Sequence, residues 1–489
     1  MKTKILAGTA TILVAIAALA IMITKEEKIK NTGSAESVAK QEAPKPLTEE
    51  QKKRAQETAE ISKKLKACDA LQDKNAYGKR WEDYAYMVPG HDGWVFRSKQ
   101  DFRQEFKLDD EDTRLYKAFS DALKTRGTTL VLAVIPTRGI VATDKLPKDH
   151  KVAQGFDPAK AKQSYVEMLA KMNTAGVLAA GTPDPESGAA YFNIADQHWS
   201  TKGAHDMGRA VAAAIKGTPV WEALPREAFE TLSGDTVKYN GRFGEAVRAL
   251  CDDLRPPMEI DTQVKTVFAQ DGADENALFG DKPAPKVVLV GTSNSLRDDF
   301  EANFSGFLKQ ELQADVYNAA ISGGGMDDSL VAYLDSKEFR DNPPAILVWE
   351  IPGYYNLGGE GMENALRQGI ASVYGYCDEP IVSFGPEKVK KERLYMVRGA
   401  GSKKIAQGSA YIAFTFDAPV KRDFSVSFKT SDKKNRYFKF TKRREGHGAT
   451  FFYMPVIDQG KYLTDIALNP AKGIEGLTVR AKLCSINAL

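Results

Sequence analysis

Lys286-Val-Val-Leu-Val-Gly-Thr-Ser-Asn-Ser295 reads as a short apolar strand that breaks at a glycine and enters a helix. Four apolar residues in a row, with no polar alternation, require cover on both faces of the strand. That is the pattern of a parallel sheet buried between helices. Thr129-Leu-Val-Leu-Ala-Val-Ile-Pro136 repeats it, as do Asp315-Val-Tyr-Asn-Ala-Ala320 and Ala345-Ile-Leu-Val-Trp-Glu350. Helical spacing fills the intervals. Ala159 to Met172 follows an Asp157-Pro158 start signal, and a helical stretch is expected from Gly291 to Leu312. Apolar strands alternating with helices predict an α/β, doubly wound sheet with its chemistry at the strands' carboxyl ends.

Outward from this body the pattern changes at both ends. After Cys377 the period becomes two: Phe424, Val426 and Phe428 alternate with Ser425, Ser427 and Lys429, and Phe438 and Phe440 alternate with polar neighbours. One apolar face at period two predicts a small antiparallel β-sandwich over 377–489. The α/β domain then covers 51–376, and two domains suit a chain of 489 residues. Lys and Arg outnumber Asp and Glu 21 to 11 over 378–489, whereas the whole chain has a net charge of only +3. A basic module on a mildly acidic body predicts a polyanionic partner for that module.

At the other end, Lys2 and Lys4 precede an uncharged, mostly apolar run over 5–23, with the small-x-small site Ala18-Leu-Ala20 inside it. Residues 1–23 read as a signal peptide or an uncleaved anchor, and either exports the rest of the chain. Residues 24–50 read as a flexible linker, and Glu49 to Leu71 has helical, charge-rich spacing. The expected location is the periplasm, and export makes nucleic acid a poor partner. Cys68, Cys251, Cys377 and Cys484 lack the close spacing of metal knuckles, so no metal centre is expected. In an oxidising compartment they predict two disulfides; of three connectivities, locality favours 68–251 and 377–484.

The chemistry sits at strand ends. Ser293 stands where a nucleophile is lifted to the sheet's edge, near a helix N-terminus whose N–H groups can face an oxyanion. Asp196 and His198 in Asp196-Gln-His-Trp199 lie two apart, so on extended chain they point the same way. The carboxylate can then hold Nδ1–H while Nε2 faces the serine. Asn318, at the end of its strand, and Gly323 and Gly324 in Ser322–Gly325 are candidate oxyanion donors. Arg138, after the first strand, faces the same edge as a candidate substrate contact. Arg436, Lys439 and Arg443, in a basic and aromatic stretch of the sandwich, are further candidates for the polyanion.

Taken in order, VPGHDGWVF (88–96), IPTRG (135–139), DQHW (196–199), VLVGTSNS (288–295) and LVWEIP (347–352) resemble the SGNH-hydrolase-like acyltransferases of exopolysaccharide export. The nearest likeness is to the alginate O-acetyltransferase (AlgX-like) family, and it covers roughly 68–489. The resemblance implies Ser293 as nucleophile, His198 as general base and Asp196 as the orienting acid. The Asp–His pair precedes the serine, as circular permutation in this group implies. The resemblance also implies a C-terminal carbohydrate-binding module and one disulfide in each domain. The expected activity is transfer of acetyl groups, through an acetyl-serine, to hydroxyls of an exported anionic polymer such as a polyuronate. No cofactor is expected, because a membrane partner of the export complex would present the acetyl donor. A polysaccharide acetylesterase, or a non-catalytic carbohydrate-binding scaffold, are the alternatives.

Overall fold

The computed structural model describes residues 49–252, 254–269, 284–296, 302–398, 410–420, 422–430, 434–440, 449–455 and 463–486. The expected leader (1–23), nearly all of the linker (24–50) and Arg443 lie outside the described residues. Residues Ala55–Leu489 cluster as one compact unit.

The chain runs through helix α1 (Glu49–Lys66), a small hairpin of β1 (Met87–Pro89) and β2 (Val95–Arg97), helix α2 (Asp110–Lys124) and β3 (Thr129–Ile135). Helix α3 (Pro158–Thr174), β4 (Leu178–Gly181) and helix α4 (Thr201–Ile215) come next. A second hairpin, β5 (Phe229–Tyr239) and β6 (Glu259–Phe268), carries helix α5 (Arg242–Leu250) between its strands. Then come β7 (Val287–Val290), helix α6 (Phe304–Leu312), β8 (Val316–Asn318), helix α7 (Asp328–Leu334), β9 (Ile346–Pro352) and helix α8 (Glu360–Tyr374).

The parallel sheet has the order β4-β3-β9-β7-β8. The chain builds outward from β3 to β4, crosses over to β7 and β8, and closes with β9 at the centre. The fold is therefore α/β and doubly wound, with an order reversal beside the central strand where such sheets place their ligands. Every residue of β7 and of β9 is buried, as the apolar runs require. Helix α3 begins as its sequence dictates: Asp157 accepts from the N–H groups of Ala159 and Lys160, and Pro158 takes the first position. Among the described residues the expected helix from Gly291 to Leu312 is two pieces, Ser293–Leu296 and α6, with Asn303 left-handed (φ 48°) directly before the second.

Eight antiparallel strands complete the chain: β10 (Val382–Lys388), β11 (Leu394–Val397), β12 (Ala410–Val420), β13 (Phe424–Thr430), β14 (Asn435–Phe440), β15 (Ala449–Pro455), β16 (Leu463–Leu468) and β17 (Thr478–Ser485). They form two sheets, β10-β17-β12-β15 and β11-β16-β13-β14, around a core that includes Phe414, Phe424, Phe440 and Phe452. The outer face of the first sheet gives Tyr411, Tyr453 and Cys484 to the core of the α/β region. A third, smaller core of Leu71, Tyr77, Trp81, Phe243 and Val247 lies under α5. Disulfides join Cys68 to Cys251 beside that small core, and Cys377 to Cys484 at the root of the sandwich.

Candidate active site

Ser293 is the first residue of the helical turn after β7, and its Oγ lies 2.9 Å from Nε2 of His198. Nδ1 of the same imidazole lies 2.5 Å from Oδ1 of Asp196. The three residues thus form one hydrogen-bonded line, with His198 and Ser293 meeting across 95 positions of sequence. Asp196 is held from three directions, because its Oδ1 also accepts the His198 N–H and its Oδ2 accepts the Arg242 N–H at 2.7 Å. Burial alone would raise its pKa. The hydrogen bond and charge of His198, with the two backbone N–H groups, outweigh burial and hold the carboxyl well below the usual carboxylate range. Asp196 is therefore an anion fixed beside Nδ1, and Nε2 is left as the proton acceptor facing Ser293.

The sequence around the pair is pinned from both sides. Arg138 is buried, and its guanidinium donates to the carbonyls of Asn193, Ile194, Asp196 and Val95. The carboxyl of Glu259 takes the N–H groups of Ile194 (2.6 Å) and Ala195 (2.5 Å). One arginine collects the carbonyls of the segment and one glutamate its N–H groups, so residues 193–196 have little freedom. Trp199 then ties this segment to the Ser293 turn, its indole N–H donating to the Asn294 carbonyl at 3.1 Å. Beneath the turn, Glu350 accepts from the Thr292 N–H at 2.7 Å and from the hydroxyls of Thr292 and Ser295 at 3.0 Å.

Two expectations need correction. Arg138 does not reach substrate: it is 1 % exposed, both terminal nitrogens donate to backbone carbonyls, its Nε lies 3.5 Å from Asp101 Oδ2, and it positions the Asp196–His198 segment instead. The Asn318 Nδ2 donates to the Ser295 carbonyl at 2.8 Å, and its Oδ1 accepts the Ala320 N–H. It braces the turn from the side. Gly324 packs toward Asp328, and among the described wall residues of the cavity over Ser293 it is Gly323 and Gly325 that appear.

That cavity encloses about 1230 Å³. Arg97, Gln197, Arg242, Tyr354 and Tyr355 join Ser293 and His198 in its wall, and none of these five is among the sequence-predicted site residues. Gln197 carried a usable signal: it lies between Asp196 and His198, which places it at the mouth of any site they form. Arg97 stacks on the Tyr354 ring (4.4 Å to the centroid) and pairs with buried Asp101, an arrangement that no local pattern reveals. Arg436 and Lys439 line a different cavity of about 640 Å³, between β14 and helices α7 and α8. Asp328 and Glu360 line it too, and Lys439 pairs with Asp423 at 2.8 Å, so that cavity is mixed in charge rather than purely basic. The loop 322–328 borders both cavities.

Residues 87–353 match the family model described as SGNH hydrolase-like domain, acetyltransferase AlgX. The chain is 33% identical over 361 residues to the alginate biosynthesis protein AlgX of Pseudomonas aeruginosa, covering 72% of this chain and 73% of that protein. It is 32% identical over 290 residues to the probable alginate O-acetylase AlgJ of the same organism, covering 55% of this chain and 70% of the other. The solved structure of Pseudomonas aeruginosa AlgX superposes with a TM-score of 0.72 at 26% identity, over 86% of this chain and 99% of that one.

Proposed function

Because the chain belongs to the AlgX family of SGNH hydrolase-like acetyltransferases, we propose that it transfers acetyl groups through Ser293 to an exported, alginate-like polyuronate. In the first half-reaction Ser293 Oγ attacks the donor's acyl carbon while its proton passes to Nε2 of His198. The tetrahedral oxyanion collapses, the donor's leaving group takes that proton from the imidazolium, and acetyl-Ser293 remains. A sugar hydroxyl then attacks the ester and gives its proton to Nε2. The second collapse releases the acetylated polymer and returns the proton to Ser293. Asp196 stays ionised throughout, fixes the tautomer, and stabilises the imidazolium.

The observation that carries this reading is the line Asp196–His198–Ser293 at 2.5 and 2.9 Å, opening on the large cavity. The Ser293 N–H, to which no acceptor is bonded among the described residues, and the N–H groups of Gly323 and Gly325 in the wall are the proposed oxyanion donors. The acceptor chain lies in the cavity over Ser293, and the sandwich, through Arg436 and Lys439, holds a more distant part of it. A membrane partner of the export complex presents the acetyl donor. Two disulfides support a periplasmic location, and no helix among the described residues is long and apolar enough to cross a membrane.

The test is mass spectrometry after exposure to an activated acetyl ester and polyuronate. An acetyl adduct on Ser293, chased onto the polymer and absent in Ser293→Ala, is the expected result. Release of acetate with no acetyl on the polymer would leave an esterase, and polymer acetylation that survives Ser293→Ala would leave a scaffold.

A further inference from the structure

Beside the catalytic cavity lies a second, smaller cleft of about 410 Å³ that the mechanism does not use. Its base is one face of α5, where Gly241, Gly244, Glu245, Arg248 and Ala249 recur at helical spacing. Three arginines line it: Arg248 on the helix, Arg80 on the facing segment and Arg255 on the segment after α5. All three are exposed. Glu245 is the only carboxylate among the described residues of the wall, and Arg242 holds it at 2.8 Å. Among the described residues neither Arg80 nor Arg255 has a carboxylate within ion-pair distance, so these two exposed guanidinium groups face water as cations.

The cleft and the catalytic cavity share two stretches of wall. Arg80 and Trp81 line the cleft, and Asp83 and Tyr84 line the cavity; Asn240 and Gly241 line the cleft, and Tyr239 and Arg242 the cavity. Trp81 joins them physically. The Arg80 guanidinium lies 4.7 Å from its ring centroid and the Arg242 guanidinium 5.5 Å. Arg242 in the cavity wall and Arg80 in the cleft thus flank the same Trp81 ring, and Arg255 lies further along the cleft's wall. A planar guanidinium fork matches a carboxylate in two hydrogen bonds, which a lysine cannot do. An acceptor that carries a carboxylate on each sugar and crosses Ser293 would present successive carboxylates along this line.

We infer that the cleft lined by Arg80 and Arg255 is a second acceptor subsite, which grips the carboxylates of the polyuronate after it leaves the catalytic cavity. The inference rests on the acceptor class proposed above. Its chemistry is non-covalent: the cleft holds the chain in place while Ser293 and His198 act on a sugar next door. It should favour long chains over short ones, because only a long chain reaches both places at once. An anionic membrane surface is the competing occupant, and the continuity with the catalytic cavity favours the polymer.

The experiment compares the full chain with the double variant Arg80→Gln/Arg255→Gln. Isothermal titration uses a long polyuronate, a short oligouronate and vesicles containing phosphatidylglycerol; hydrolysis of a small activated acetyl ester is followed alongside. The expected result is about tenfold weaker binding of the long chain and a shallower salt dependence, with the short oligomer little changed. Small-ester hydrolysis should keep its rate, which also reports that the variant is folded. Equal affinity of both proteins for the long chain overturns the subsite while leaving the function intact. No binding of polyuronate by the unaltered protein overturns the acceptor class itself. Loss of vesicle binding with polymer binding unchanged assigns the cleft to a membrane and overturns the inference.

Discussion

Glu350 lies directly under the Ser293 turn, and its buried carboxyl accepts three hydrogen bonds from Thr292 and Ser295. Burial pushes its pKa from 4.5 up to about 7, against the opposing pull of those donors. Proton counting gives the consequence for stability. Below pH 4.5 the group is protonated whether the chain is folded or not. Between 4.5 and 7 the unfolded chain releases a proton that the folded one keeps, so stability falls as pH rises, by about 1.4 kcal/mol for each pH unit. Above 7 the loss is constant. In Glu350→Gln the part of this slope due to Glu350 should vanish, so urea midpoints of variant and parent should converge or cross between pH 4.5 and 7. A difference that stays the same at every pH would count against it. Glu259, also raised to about 7 by burial, keeps its own share in both proteins. None of this was legible in the sequence. Asp196 and His198 could be read because their contact is local, two residues apart, and Ser293 because a strand end announces itself. Arg138, Glu259 and Glu350 are charged residues whose burial is decided by carbonyls and N–H groups far along the chain, and residue type alone argues for the surface.

At the scale of elements, α5 directs its first turn at the site. The Arg242 N–H bonds Asp196, and the Phe243 and Gly244 N–H groups bond the Ala195 carbonyl at 3.0 and 3.1 Å. The positive end of the helix thus adds to the stabilisation of the Asp196 anion. Gly241 permits this approach, since a Cβ there would stand 2.2 Å from the Ala195 carbonyl oxygen and 2.9 Å from Glu259 Oε1. Gly241→Ala should push the helix back, lengthen the Arg242–Asp196 bond and destabilise the fold by about 1–3 kcal/mol. The rate of Ser293 acetylation by a small ester should fall roughly tenfold, if the lost bond contributes about 1.4 kcal/mol. Single-turnover kinetics at a temperature where the variant is fully folded checks this, and an unchanged rate would mean that the helix end plays no part in orienting Asp196. Neither α5 nor the hairpin around it stood out in the sequence. β5 is largely exposed and polar, and in β6 the apolar positions Ile260, Val264 and Phe268 are diluted by Thr262 and Thr266. β4, Leu178-Ala-Ala-Gly181, is made of small residues that carry little strand preference. The long apolar runs of β3, β7 and β9 are the opposite case, because full burial on both faces leaves no room for polar residues to obscure the pattern.

At the scale of the molecule, the two disulfides are nearly equal as cross-links yet sit in different places. They close loops of 183 and 107 residues, and loop entropy grows so slowly that each limits the unfolded chain by on the order of 5 kcal/mol, within about 0.5 of each other. Removing either should therefore lower thermal stability by a similar amount. The effect on chemistry should differ. Cys251 comes directly after the last turn of α5, and with Cys68 it closes the small core formed by Leu71, Tyr77, Trp81, Phe243 and Val247. That core carries both the helix that holds Asp196 and the Trp81 ring beside Arg242. Cys377 and Cys484 instead tie the last strand of the sandwich to the end of the α/β region, away from the hydrogen bonds to Asp196, His198 and Ser293. With both proteins well below their melting temperatures, Cys68→Ser/Cys251→Ser should acetylate Ser293 from a small ester more slowly than the parent. Cys377→Ser/Cys484→Ser should keep the parent's rate and lose affinity for the polymer, because the seat of β14, with its arginine and lysine, is loosened. Equal slowing of acetylation in the two variants would show that the site depends on the rigidity of the whole molecule. Slowing confined to the first would show that the small core under α5 is what holds Asp196 and His198 in line with Ser293.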